Sequence, residues 1–237
     1  MNTNTRRTIW SIMRWGAVLI LTGGGNIMAQ TTSWPAAGTA SIALPTANKN
    51  GIVTLESAIS QRKSVREFAS TPLTLEDISQ LLWAAQGITH GKGLRTAPSA
   101  GALYPLELYL LTGRVESLAS AIYHYDARQR TLQRIEQGDK LGKLASAAFG
   151  QLWIKDSAAV IIIAADYQRT SRKYGKRGQR YVHIEVGHVA QNIYLQATAL
   201  GIGTTLVGAF KDDEVANVVG VKDNEVPLAI MPLGRPR

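Results

Sequence analysis

Hydrophobic residues recur at helical spacing through residues 180–210, RYVHIEVGHVAQNIYLQATALGIGTTLVGAF. Val182, Val186, Val189, Ile193, Ala197 and Leu200 stand four and three apart. This stripe predicts a helix with a core-facing side. Ile184 and Leu195 fall roughly opposite, so the helix is expected to be covered on more than one side and to form the spine of the domain. Glu185, His188, Asn192 and Gln196 share the remaining sector, where polar groups need partners: protein, water, another subunit or a ligand. Gly201 and Gly203 stop the helix, and Thr204-Thr205-Leu206-Val207 reads as a buried strand. Gly208-Ala209 then sets nearly bare backbone at the strand end, which either admits a flat ligand to peptide N–H groups or simply turns the chain.

Upstream, Thr54 is placed to cap a helix through Leu55, Ala58 and Ile59. Thr74 with Asp77 caps a second, through Ile78, Leu81, Leu82 and Ala85, which Gly87 ends. Residues 106–112 read as a strand. Residues 122–125 and 132–135 flank a turn and suggest a hairpin, a short helix follows at 139–149, and AAVIIIA at 158–164 is apolar throughout, as a buried central strand should be. Strands and helices mix without regular β-α-β alternation, so the expected class is α+β.

The chain has 237 residues, 45% of them hydrophobic, enough for one well-cored domain. It contains no cysteine, which excludes disulfides, thiolate metal ligands and thiol nucleophiles. Its four histidines, His90, His124, His183 and His188, form no zinc-binding pattern, so no protein-bound metal is expected. The net charge is +9. Arg6, Arg7 and Arg14 near the start, with Arg169, Arg172, Lys173, Lys176, Arg177 and Arg180 in one acid-free stretch, account for all of that excess, so the positive field is local. A broad nucleic-acid surface is not indicated.

Residues 1–29 carry basic residues, an apolar run and a small-residue site near Ala29, the order of an export signal. The run is too short for a confident membrane span. TRRTI at 5–9 partly resembles a twin-arginine signal. Residues 30–50, rich in Thr, Ala, Ser and Pro, read as a linker or surface arm, and residues 51–237 as the domain.

Within that domain, Arg62, Lys63, Ser64 and Arg66 place three cations and a hydroxyl within five residues, suited either to a phosphate or to a solvated basic turn. Residues 96–105, TAPSAGALYP, are small and turn-forming. There is no GxGxxG, no GxxxxGK[ST] and no GxSxG.

Six stretches in fixed order carry a resemblance: RKSVREF (62–68), PSAGALYP (98–105), KYGKRGQRY (173–181), HxExGHxxQN (183–192), ALGIGTTLVGAF (199–210) and PLGRP (232–236). From about Thr54 onward the chain resembles the nitroreductase family of FMN-dependent enzymes, and within it the SagB-type branch that includes azoline dehydrogenases. The resemblance implies a central, mostly antiparallel sheet flanked by helices, in a homodimer with two FMN sites at the subunit interface. It implies that Arg62, Lys63, Ser64 and Arg66 hold the flavin phosphate and pyrimidine edge, and that Pro98, Ser99, Ala100 and Ala102 form the loop laid against the partner's cofactor. Family members with Asn at the position of Ala102 gain an amide contact that this chain lacks. Glu185 matches a polar flavin contact, Gly208 and Ala209 the backbone beside flavin N5, and Arg235 the remaining basic residue available to the phosphate. Lys173 and Tyr174 match the pair implicated in proton removal as hydride passes to FMN; a basic loop attracting an anionic substrate or NAD(P)H is the other reading. The export signal conflicts with NAD(P)H, which is not expected outside the cytoplasm, and suggests a periplasmic electron donor or a small-molecule substrate to be oxidised. Two rivals remain: an azoline peptide dehydrogenase and a flavin-binding protein without turnover.

Overall fold

A computed structural model describes residues 41–237 apart from Lys92. The expected signal at 1–29 and the start of the arm therefore lie outside the described residues, which all belong to one unit, Thr32–Arg237. In chain order the strands are β1 (Ser41–Ala43), β2 (Ile88–His90), β3 (Leu94–Arg95), β4 (Leu106–Thr112), β5 (Ala121–Asp126), β6 (Thr131–Gln137), β7 (Ala159–Ala165), β8 (Gly203–Thr204) and β9 (Val226–Gly234). The helices are α1 (Leu55–Gln61), α2 (Leu75–Gln86), α3 (Leu141–Ala147), α4 (Leu152–Asp156), α5 (Tyr167–Tyr174), α6 (Arg177–Ala199) and α7 (Asp212–Val219), with a 3-10 turn at Ala100–Ala102.

Seven strands form one sheet in the order β1-β6-β5-β4-β7-β9-β8, every neighbouring pair antiparallel. The fold is α+β, a central antiparallel sheet with helices on both faces. β7 explains its unbroken apolarity: Ile161 and Ile163 enter the core beneath α2 and α6, while Val160 and Ile162 enter the core beneath α3, α4 and α7. A strand covered on both faces shows no polar alternation.

The helix ends follow the sequence signals. Thr54 accepts from the Ser57 N–H, and Thr74 and Asp77 close a reciprocal capping box on α2, which Gly87 ends. On α6, Val182, Val186, Val189, Ile193 and Ala197 are buried as the stripe predicts. Ile184, however, stays 49% exposed within one chain. The polar sector is partly spent on protein: Asn192 donates to the carbonyls of Ala84 and Thr96, and Gln196 accepts from Gln80.

Two boundaries differ from expectation. The sheet already begins at Ser41, inside the expected arm, because β1 pairs with β6 and Leu44 reaches the core. The strand expected at 204–207 is broken after Thr204. The Leu206 N–H donates to the Tyr194 hydroxyl instead of a neighbouring strand, Leu206 turns outward, and pairing resumes as a single bridge from Val207 to Ile230.

Candidate functional site

The segment after α1 runs along the edge of the sheet. The Val65 N–H donates to the Thr204 carbonyl, and Phe68 bridges to Pro236. Gly203 permits this approach, since a Cβ there would fall 2.6 Å from the Val65 side chain. The segment thereby presents Arg62, Lys63, Ser64 and Arg66 on one rim. Arg62 lies 5.2 Å from the centre of the Tyr194 ring, and Arg66 5.9 Å from that of Trp153. None of the three cations has an ion-pair partner among the described residues.

Tyr194 ties the rim to the strand end. Its hydroxyl lies 3.2 Å from Ser64 Oγ and accepts from the Leu206 N–H at 2.7 Å. Burial would push the phenol pKa up, but Ser64, Thr205, the Leu206 N–H and the Arg62 charge outweigh it and hold the pKa below its usual value. Two residues on, Gly208 and Ala209 are exposed, and nothing lies within 4 Å of where a Gly208 Cβ would stand. Gln151 braces this backbone by donating to the carbonyls of Ala209 and Ala148, both at 2.8 Å. Trp153 Nε1 and Thr204 Oγ1 are buried without partners. Unpaired cations, orphaned polar atoms and open backbone are what an anionic, flat cofactor such as FMN would complete.

Arg235 is less free than the sequence implies. Its Nη1 donates to the Leu200 carbonyl and its Nη2 to Asp77, each at 2.7 Å.

A second cluster forms elsewhere on the chain. In the 98–105 loop Gly101, Ala102 and Tyr104 all take positive φ, at 63°, 53° and 48°. Ser99 Oγ accepts from the Tyr104 N–H, and the Tyr104 hydroxyl from the Arg95 N–H. Lys173 and Tyr174, at the end of α5, close over this loop: a Cβ on Gly101 would meet Tyr174 Oη at 2.8 Å and Lys173 Nζ at 3.0 Å. Pro98 is exposed, and Ser99 and Ala100 partly so. Beneath them Glu185 is 2% exposed, with Oε1 unpartnered. Burial raises its pKa to about 7, opposed by Ser99, Gln86 and Arg95 nearby.

The structure thus gathers Arg62, Lys63, Ser64, Arg66, Gly208 and Ala209 in one cluster, and Pro98, Ser99, Ala100, Ala102, Lys173, Tyr174 and Glu185 in another. Both are mounted on α6, where Tyr194 and Glu185 stand nine residues apart, about 13 Å along the axis at ~1.5 Å per residue. Sequence reasoning missed Tyr194, Trp153 and Gln151. The only local hint for Tyr194 was a hydroxyl-bearing aromatic at the flank of the stripe.

The fold is that of nitroreductase structures, and the chain belongs to the nitroreductase family: the model of that family, described as "Nitroreductase family", matches residues 59–235. A Methanocaldococcus jannaschii protein bearing the name nitroreductase is 48% identical over 183 residues, which is 77% of this chain and 91% of that one. A nitroreductase structure from Anabaena variabilis superposes with a TM-score of 0.75 at 28% identity, covering 84% of this chain and 42% of that one. The Escherichia coli microcin B17-processing protein McbC is 28% identical over 152 residues, 61% of this chain and 55% of its own.

Proposed function

We propose that the chain is an exported, FMN-dependent oxidoreductase that works as a homodimer. The observation that carries this reading is the rim of Arg62, Lys63 and Arg66, cations without counter-ions among the described residues, beside the bare strand end at Gly208-Ala209. Arg62, Lys63 and Arg66 neutralise the cofactor phosphate and the charge of its pyrimidine edge, and Ser64 adds a hydroxyl. Gly208 and Ala209 leave peptide backbone open to the ring, held in place by Gln151. Bound FMN would supply reversible hydride transfer at N5. Lys173 and Tyr174 then hold or move the substrate proton above Gly101.

The separation of the two clusters on α6 favours a dimer, in which the partner's 98–105 loop meets this chain's cradle. Exposed Leu55, Ile59 and Ile184, on α1 and α6, supply apolar surface for such an interface. With an export signal at residues 1–29, a quinol or redox protein replaces NAD(P)H as the electron donor, and a small organic nitro compound or quinone is the acceptor.

The absorption spectrum of purified protein tests this. Flavin bands at one FMN per chain, bleached anaerobically by a quinol analogue, are expected. A preparation that stays colourless after reconstitution with excess FMN would overturn the proposal.

A second reading, azoline peptide dehydrogenase, draws on the Lys173-Tyr174 pair over Gly101 and on the likeness to McbC. Stopped-flow flavin reduction by an azoline peptide against NADPH separates the two. A flavin-binding protein without turnover predicts that no physiological donor bleaches the cofactor.

A further inference from the structure

A cavity of about 440 Å³ is bordered by Ala102 and Tyr104 of the 98–105 loop and by no residue of the Arg62–Arg66 rim or of the Gly208-Ala209 strand end. Leu106, Leu108, Tyr125 and Ala127 give it an apolar side, and the rest of the lining is mostly polar, with Arg95, Arg128, Arg169 and Lys222 against the carboxylates of Glu107 and Asp126.

The charges around it are unevenly spent. Glu107 accepts from His124 and from Arg169, at 2.8 and 2.5 Å, and Arg169 also reaches Asp166. Burial would raise the Glu107 pKa, but His124 and Arg169 hold it down at about 2, so this carboxylate is ionised and already matched. Arg95 is the exception. It is partly buried and makes no ion pair among the described residues. Its guanidinium stacks 4.7 Å over the Tyr104 ring, and its Nη1 donates to Gln86 Oε1 at 2.7 Å. That leaves the Nε–Nη2 edge, the planar fork that pairs with two carboxylate oxygens. Burial depresses the Arg95 pKa, opposed by the charges of Glu107 and Glu185, neither of which forms an ion pair with it among the described residues. At the exposed mouth, Arg128 likewise has no acidic partner among the described residues beyond the backbone bond that Asp126 accepts from it.

We infer that this cavity binds a small monocarboxylic acid with an apolar body, its carboxylate on the free edge of Arg95 with Arg128 closing the mouth, and its body against Leu106, Leu108 and Tyr125. The inference does not rest on the flavin reading: Ala102 of the loop given to the partner's cofactor borders the cavity, but no residue of the Arg62–Arg66 cradle does.

Calorimetric titration of the full protein, with its flavin content recorded, tests it. The probes are benzoate and hexanoate, with benzyl alcohol and inorganic phosphate as controls. Benzoate or hexanoate is expected to bind saturably without displacing flavin, benzyl alcohol not at all, and phosphate at least tenfold more weakly. Arg95→Gln is expected to weaken the acid at least tenfold and Arg128→Ala several-fold. Should Arg95→Gln fail to fold, Arg128→Ala, a change at an exposed residue, carries the test. Absence of saturable acid binding, phosphate binding as tightly, acid competing with flavin, or unchanged affinity in the variants would each overturn the assignment.

Discussion

Replacing Glu185 by Gln isolates the energetic consequence of burying a carboxyl under the 98–105 loop. In the fold its pKa stands at about 7 against 4.5 for an ordinary glutamate, and burial is the main cause. Between those values the folded state binds more protons than the unfolded chain, so stability falls as pH rises through the window. Below pH 4.5 both states hold the proton and the penalty vanishes. Above pH 7 the folded protein carries a buried anion at full cost. The gap, at ~1.36 kcal/mol per pH unit, sets a ceiling of about 3 kcal/mol. Glutamine keeps the shape and cannot ionise. Urea unfolding of both proteins at pH 4.5, 5.5, 6.5 and 7.5 should therefore show the Glu185→Gln variant gaining on the wild type by about 2–3 kcal/mol across the series. Taking the difference cancels every other titrating group. Curves that stay parallel from pH 4.5 to 7.5 would refute the reasoning, because a carboxylate that remains hydrated or paired contributes no such slope.

Other outcomes follow from the same geometry. Gly101→Ala should destabilise the protein by about 1 kcal/mol through its positive φ and push Lys173 and Tyr174 off the loop, so steady-state turnover should fall more than flavin affinity. Arg62→Gln and Arg66→Gln should each weaken FMN binding by roughly 1.5–3 kcal/mol, tenfold or more by flavin fluorescence titration, while leaving urea midpoints of the flavin-free protein nearly unchanged, since neither guanidinium holds an ion pair among the described residues. Asp77→Ala removes both the α2 capping box and the Arg235 contact, and should cost about 1–3 kcal/mol in urea unfolding.

Much of the architecture was legible because it rests on local rules. The α6 stripe, the Thr54 and Thr74 caps, the 122–135 hairpin and the apolar β7 run each announce themselves within a few turns of chain. β8 was overread because a tyrosine on α6 captured the N–H that the ladder required, a competition set by tertiary distance alone. The site divides in the same way. Arg62, Ser64, Arg66 and the Gly208-Ala209 pair are visible as clustered cations and bare backbone, but spacing alone left each open to a plain turn, and only the family resemblance gave them a role. Trp153 and Gln151 join them only after the chain folds, with no spacing to announce it. Arg235 illustrates the converse: an arginine that sequence offers to a ligand is held by Asp77, more than 150 positions away.

Because one unbroken helix carries both Glu185 and Tyr194, its pitch acts as a ruler between the two residue clusters it mounts. Inserting a single residue between them would swing one cluster about 100° around the axis relative to the other, whereas the same insertion in a surface turn would be absorbed. The interval from 185 to 194 is therefore the stretch of this protein where length, more than composition, is constrained.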